Sequence, residues 1–239
     1  MARRRLVAEI KPQKHFKTSS VSSNMEMGTR EMALLAPFII SGGKNTERFY
    51  FQHISKHIKE LRVIPEYFGK ESNYTTFFPK KINKILKDNN DAKIFCVFDW
   101  DTIHGNKTNI EKHNKFVKQI KTFINDGRVI LCPSMPCFEY WFLLHFKNTT
   151  KFVGTCEEIA KMLKPYMNVY FSQKDINLFE ILKDKYYLEK ETWVKNLCSD
   201  GKLDNAIKRA EDNIKAAIEA DDLENQSYSY VYKVFKHNE

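Results

Sequence analysis

No apolar run in these 239 residues is long enough to span a bilayer, and the N-terminus lacks the apolar core of a secretory signal. Both absences point away from a membrane protein and lead us to expect a soluble, cytoplasmic one. No two of the five cysteines (Cys96, Cys132, Cys137, Cys156 and Cys198) are spaced as C-x-x-C, and their number is odd. The spacing therefore offers neither a zinc ribbon nor a disulfide framework. Cys96 and Cys132 fall inside apolar runs that read as buried strands, which suits a reducing compartment. No internal repeat is evident either, so the architecture has to be read element by element.

What is present argues for a folded chain. Hydrophobic residues make up 42%, with 18 Phe and 11 Tyr, so one large or two small domains could bury an ample core. The net charge is +9, from 39 Lys+Arg against 30 Asp+Glu, and much of the excess is local. Residues 1–17 carry Arg3, Arg4, Arg5, Lys11, Lys14 and Lys17 against Glu9 alone. The polar stretch from Thr18 to Asn24 has the composition of a flexible linker. A basic arm on such a linker suits contact with a polyanion through phosphate neutralisation. A solubilising tail with no fixed partner is the plain alternative.

Residues 93–101 read KIFCVFDWD. The apolar run from Ile94 to Phe98 is short and rich in β-formers, as in an interior strand of a parallel sheet. Side chains alternate along a strand, so Asp99 and Asp101 are expected to project together from its end. In open α/β sheets that edge is where ligands bind. Two carboxylates aimed at one point repel each other unless a cation lies between them, and a hard ion such as Mg²⁺ suits them best. The plain alternative is a solvated loop with aspartates that cap the next element.

Periodicity places the remaining elements. Residues 36–40 form a short strand, closed by Ser41-Gly42-Gly43. Asn45 or Thr46 can cap a helix to about Glu60, with Tyr50, Ile54, His57/Ile58 and Leu61 on one face. Residues 62–68 read as a second strand, which Pro65 marks as an edge or irregular one. Residues 75–87 are helical through Phe78, Ile82 and Ile85/Leu86. After the aspartate strand comes a polar loop, residues 103–107. Residues 109–126 form a helix through Ile110, Val117, Ile120 and Ile124, ended by Gly127. Residues 129–132 are a fourth strand, and Pro133-Ser134-Met135-Pro136 is expected to start an apolar helix. Four β-α units imply a mostly parallel sheet covered on both faces. Beyond residue 150 the pattern is helical, over about 156–167, 174–187 and 203–220, the last with Ala206, Ile207, Ala210, Ile214, Ala217 and Ile218 as its stripe.

Four further residues invite attention. Glu47 opens the first helix and Glu139 lies early in the helix after the fourth strand; the ordinary role of each is to favour the helix dipole. Ser134 suits a helix cap, since no base is placed to activate it. His145, among Trp, Phe and Leu, suits a satisfied core histidine. Taken together, Glu47, Asp99/Asp101 and Glu139 each follow a different strand and can converge at one edge of the sheet.

Three strings, SGGKNTERFYF, VFDWDT and CPSMPCFEYWFLLHF, resemble the signatures of the RloB-like proteins. These are bacterial proteins encoded with restriction–modification and phage-defence genes and related to the Toprim fold. The resemblance runs to the QSYSYVYKVF segment near the end of the chain. It implies a Toprim-like α/β core of about four strands over residues 31–150, between a basic arm (1–30) and an all-helical C-terminal region packed on the core (151–239). It implies acids that coordinate Mg²⁺, or Mn²⁺ in its place, for cleavage of RNA or DNA, and an AAA-type ATPase partner. Asp99 and Asp101 match the Toprim D-x-D pair, Glu47 ends the first motif, and Ser134, Glu139 and His145 match the third. Asp99, Asp101 and Glu47 are then the metal ligands, with Glu139 completing the catalytic set. Lys44, Arg48 and Lys107 would grip phosphate, together with Arg3, Arg4 and Arg5 of the arm. A homo-oligomer is also compatible.

One departure from the family pattern bears on activity. Relatives carry a glutamate after the first strand where this chain has Gly42, which removes a ligand and a proton shuttle. Glu47, about one turn later, could substitute. The expected functions are therefore a Mg²⁺-dependent nuclease of anti-phage defence or a catalytically degenerate nucleic-acid-binding or sensor subunit acting through its ATPase. A haloacid-dehalogenase-type phosphatase fits less well, because Ile103 stands where its D-x-D-x-[TV] motif needs Thr or Val. A D-x-D glycosyltransferase has no other support in the chain.

Overall fold

The computed structural model describes residues 36–64, 74–171 and 177–236. Ile94–Asp99 (β3) is the central strand of a five-stranded sheet. Across the sheet the order is β2 (Arg62–Val63), β1 (Phe38–Ser41), β3, β4 (Val129–Met135) and β5 (Tyr228–Ser229). The first four strands are parallel and β5 is antiparallel to β4. The expected edge position of the second strand is observed. Its continuation through Pro65 and Phe68 lies outside the described residues, as does the basic arm with Arg3, Arg4 and Arg5.

Alternation along the strands builds two cores. Ile39, Phe95 and Val97 point to one face; Ile40, Ile94, Cys96 and Phe98 point to the other. Fully burying an aliphatic or phenyl side chain contributes roughly 1.5–3 kcal/mol, so an unbroken apolar strand is held from both sides. Helices α2 (Tyr74–Asp88) and α3 (Lys107–Asn125) cover the second face. In α2, Phe78, Ile82, Ile85 and Leu86 are buried, as the periodicity requires. The first face is covered by α1 (Thr46–His57), α4 (Glu139–Phe146) and the C-terminal helices. These are α5 (Cys156–Met167), the short α6 (Leu178–Ile181) and α7 (Lys185–Leu188), α8 (Thr192–Cys198) and α9 (Lys202–Glu219).

Several elements differ from the sequence reading. The first helix ends at His57, and Ile58, placed on its apolar stripe, is 42% exposed. The fourth strand runs three residues past Cys132, and α4 begins only at Glu139. Pro133 is therefore a strand residue: it lies opposite Phe98, and its carbonyl accepts the Tyr230 N–H at 2.9 Å. The C-terminal region is mainly helical but also supplies β5, and α8 is an additional helix. The helix expected over 174–187 is two short ones, with residues 172–176 outside the described set. No helix among the described residues is long and apolar enough to cross a membrane.

Candidate functional site

The crossover leaving β1 runs to β2 on one side of the sheet, and the one leaving β3 runs to β4 on the other. A crevice opens at the carboxyl ends of two such strands, and ligands bind there in sheets of this type. Glu47 and Asp99 flank that point. Asp99 is the last residue of β3 and lies opposite Ser134 on β4. Glu139 is the first residue of α4, just beyond the β4 end.

Glu47 is buried, at 4% exposure, which the ordinary role of a first-turn glutamate does not explain. Neither neighbouring polar residue caps α1. Asn45 instead donates to the Lys183 carbonyl at 2.6 Å, and the Thr46 hydroxyl donates to the Leu182 carbonyl. Both tie the helix start to the C-terminal region. The Glu47 carboxylate folds back over Gly43, and a Cβ built on Gly43 would lie 1.6 Å from its Oε2. Glycine at 43 thus makes room for a carboxyl group delivered from a turn further along. Burial, then the charge of Glu139, push its pKa from 4.5 to about 7; the backbone N–H groups of Glu47 itself and Gly43 offset part of this.

Asp99 is held well above the usual carboxylate range, first by burial and then by Glu47, Glu139, Cys156 and Asp101. All five influences act in the same direction, and none is a cation. Its Oδ1 accepts the Phe138 N–H at 2.8 Å, which fixes the carboxylate against the loop entering α4. Glu47, Asp99 and Glu139 therefore form one buried, mutually repelling group.

Asp101 is not a strand residue, since β3 stops at Asp99 and Asp101 sits in the turn that follows, but its charge is among those that raise Asp99. Its backbone N–H bonds the Pro136 carbonyl at 3.1 Å. Its Oδ2 accepts the Cys156 thiol at 3.7 Å, while its Oδ1 is buried with no hydrogen-bond partner. Burial raises its pKa, and bonds from the Thr102 backbone and Cys156 oppose the shift. A deep oxygen-donor group with an orphaned carboxylate oxygen at its margin suits a hard divalent cation.

Gly42 carries no acid, yet the position could hold a side chain: a Cβ there would meet Phe98 and Val97 atoms only at 3.6–3.7 Å. The carboxylate nearest to this loop is that of Glu47, folded over residue 43.

The other expected positions divide. Lys44 is exposed on the β1–α1 loop, and Lys107 is exposed at the start of α3. Arg48 is half-buried, with its guanidinium 5.7 Å from the Phe49 ring and its Nε buried without a hydrogen-bond partner. Ser134 does not cap α4. It is a fully buried β4 residue whose hydroxyl shares a 2.8 Å hydrogen bond with that of Ser229 on β5. His145 lies in the α4 core, with Nδ1 2.9 Å from the Trp141 carbonyl and Nε2 buried without a partner. Burial depresses its pKa to about 3, so it is a neutral packing residue.

Spacing alone gave no hint of a thiol pair that adjoins the acids. Cys137, on the loop into α4, and Cys156, the first residue of α5, lie with Glu139 so that one donor atom from each is within 4.8 Å of the others. Burial, then a hydrogen bond with Cys156, push the Cys137 thiol well above its ordinary value. The C-x-E pattern of Cys137 and Glu139 is local, but its third member is contributed by a different helix.

Comparison with known proteins gave no match among curated proteins or solved structures. A family model described as RloB-like protein matches residues 38–237, from the first residue of β1 to beyond β5. That span includes every acid of the cluster and the strand that closes the sheet, and the chain belongs to the RloB-like protein family.

Proposed function

We propose that this chain is a divalent-cation-dependent phosphodiesterase that cleaves RNA or DNA in bacterial anti-phage defence. The observation that carries the reading is the buried group of Glu47, Asp99 and Glu139 at the carboxyl edge of the central strands, with Asp101 beside it. Folding forces these carboxylates together against their mutual repulsion, a cost that a cation removes. The donor set is rich in oxygen and suits Mg²⁺, with Mn²⁺ as a substitute.

Asp99, Asp101 and Glu47 would hold the ion. When bound, it supplies charge neutralisation at the phosphoryl oxygens. Asp99 is oriented for this by the Phe138 N–H. In the cation-free protein burial and Glu139 raise the Glu47 pKa to about 7, so a cation binding there near neutrality displaces its proton. Lys44, Arg48 and Lys107 bind backbone phosphates around the crevice, and the basic arm adds sequence-independent attraction. An AAA-type ATPase is the proposed partner.

One observation favours a second reading, a nucleic-acid-binding or sensor subunit without turnover. Gly42 has room for an acid and carries none. The two readings separate on cleavage of labelled RNA and DNA with Mg²⁺ or Mn²⁺. The nuclease reading expects divalent-dependent cleavage that Asp99→Asn abolishes without unfolding, since asparagine still accepts the Phe138 N–H. Activity that persists in Asp99→Asn and Asp101→Asn refutes it. Salt-sensitive binding with no cleavage supports the second.

A further inference from the structure

We propose that Cys137, Glu139 and Cys156 form a binding position for a thiophilic divalent cation of the zinc class, alongside the carboxylate group and sharing Glu139 with it. Two thiols and a carboxylate are unsuited to Mg²⁺, which prefers oxygen donors throughout, but they match the soft and borderline donors that zinc selects. Three protein ligands with an open fourth position is the arrangement of zinc sites that exchange a water or substrate.

The geometry agrees. A tetrahedral zinc with Zn–S of about 2.3 Å sets two sulfurs roughly 3.8 Å apart and a sulfur and an oxygen roughly 3.6 Å apart. The three donor atoms already lie within 4.8 Å of one another, so small side-chain rotations bring them to a common centre. Cys137 and Glu139 are two residues apart on the β4–α4 loop, and Cys156 comes to them from the N-terminus of α5. Cys137 is fully buried, whereas Cys156 is partly exposed and gives the ion an approach.

A second observation points the same way. The Asp101 carboxylate faces the Cys156 sulfur through Oδ2 at 3.7 Å, while its Oδ1 is buried without a partner. Zinc binding releases the Cys156 proton and ends that hydrogen bond, which leaves the Asp101 carboxylate beside the position, where it adds negative charge that favours a cation. The sulfur-rich position is thus lined by one acid that can ligate and another that supports.

The sharing of Glu139 has a consequence that rests on the nuclease reading. A zinc ion held by the thiols takes Glu139 away from the carboxylate group, so it inhibits Mg²⁺-dependent cleavage.

The test is a Co²⁺ titration of the chelator-treated full chain, followed by near-ultraviolet thiolate-to-cobalt charge transfer and visible ligand-field bands, with Zn²⁺ as competitor. One equivalent should develop both bands, and Zn²⁺ should abolish them. Cys156→Ser, at a partly exposed position, should lose half of the charge-transfer intensity and bind Co²⁺ more weakly. Asp99→Asn, which leaves all three donors in place, should keep the bands. Absence of a charge-transfer band, or a band unchanged in Cys156→Ser, overturns the proposal. Cobalt bands in a protein that never cleaves nucleic acid support this site and refute the nuclease reading. Mg²⁺-dependent cleavage without any thiolate band does the reverse.

Discussion

Replacing Glu47 by glutamine should stabilise the cation-free protein at neutral and alkaline pH. The side chain keeps its shape and still accepts one backbone hydrogen bond over Gly43, but it no longer carries a charge into the space shared with Glu139 and Asp99. Burial and Glu139 raise the Glu47 pKa from 4.5 to about 7 in the folded state. Between those two values the folded chain holds the proton and the unfolded chain releases it, so unfolding free energy falls as pH rises through that window and levels off above it. A rise from 4.5 to about 7 corresponds to about 3 kcal/mol at 25 °C. Asp99 adds to the same slope, since its pKa is also raised and Glu47 is the first neighbouring charge responsible. Urea denaturation of both proteins in chelator, from about pH 4.5 to about pH 8.5, reads the effect directly. The stability advantage of Glu47→Gln should grow across the range by about 3 kcal/mol, or roughly 6–12 °C in Tm for a chain of this size. Millimolar Mg²⁺ should then stabilise the wild type more than the variant, because a ligand stabilises only the folded state that binds it. Parallel pH profiles for the two proteins would refute the idea that Glu47 is charged against its neighbours.

The two loop glycines should respond differently to alanine. Gly43→Ala displaces the flexible end of Glu47 and should abolish cleavage and cation-induced stabilisation at little cost in urea midpoint, whereas Gly42→Ala, with contacts of 3.6–3.7 Å, should retain both. Ser134→Ala leaves the buried Ser229 hydroxyl with only the long bond from the Val231 N–H, and should cost about 1–3 kcal/mol in denaturation without moving the metal dependence of cleavage. Deleting residues 1–17 should weaken nucleic-acid binding and flatten its log–log salt dependence by up to about 5. Nitrocellulose filter binding across a salt series checks this, and an unchanged slope would remove the arm from the interface.

The parts of the fold that were legible are those a local pattern determines. β3 is covered on both faces, and only an unbroken apolar run satisfies that environment. α2 buries its whole stripe, and α9 buries Ala206, Ala210, Ile214 and Ala217 of its own, while Ile218 is exposed and Asn213 is buried in addition. Pro133 and Pro136 resemble a helix start, which masks the last three residues of β4. In the sheet, the loss of the Pro133 N–H is tolerated while its carbonyl still bonds Tyr230. β5 has two residues, too few for any periodicity, and owes its strand character to the β4 edge beside it. Glu47, Asp99 and Glu139 were readable as candidates because each follows a strand. The burial that couples them was not readable, since it depends on the C-terminal helices packed over α1 and α4. The same holds for Cys137 and Cys156: no spacing rule joins two cysteines brought together by separate elements.

The pairing of Ser134 with Ser229 spans 95 residues. A chain made from its N-terminus presents Glu47, Asp99, Asp101 and Glu139 well before the strand that flanks them exists. Until Tyr228 and Ser229 arrive, β4 is an open edge with unpaired backbone groups, available to any passing strand. Assembly therefore has a built-in order in which the acids come first and the edge is sealed last. A message truncated before residue 228 would yield a protein with all its acidic residues and an unguarded sheet, prone to aggregate rather than to cut.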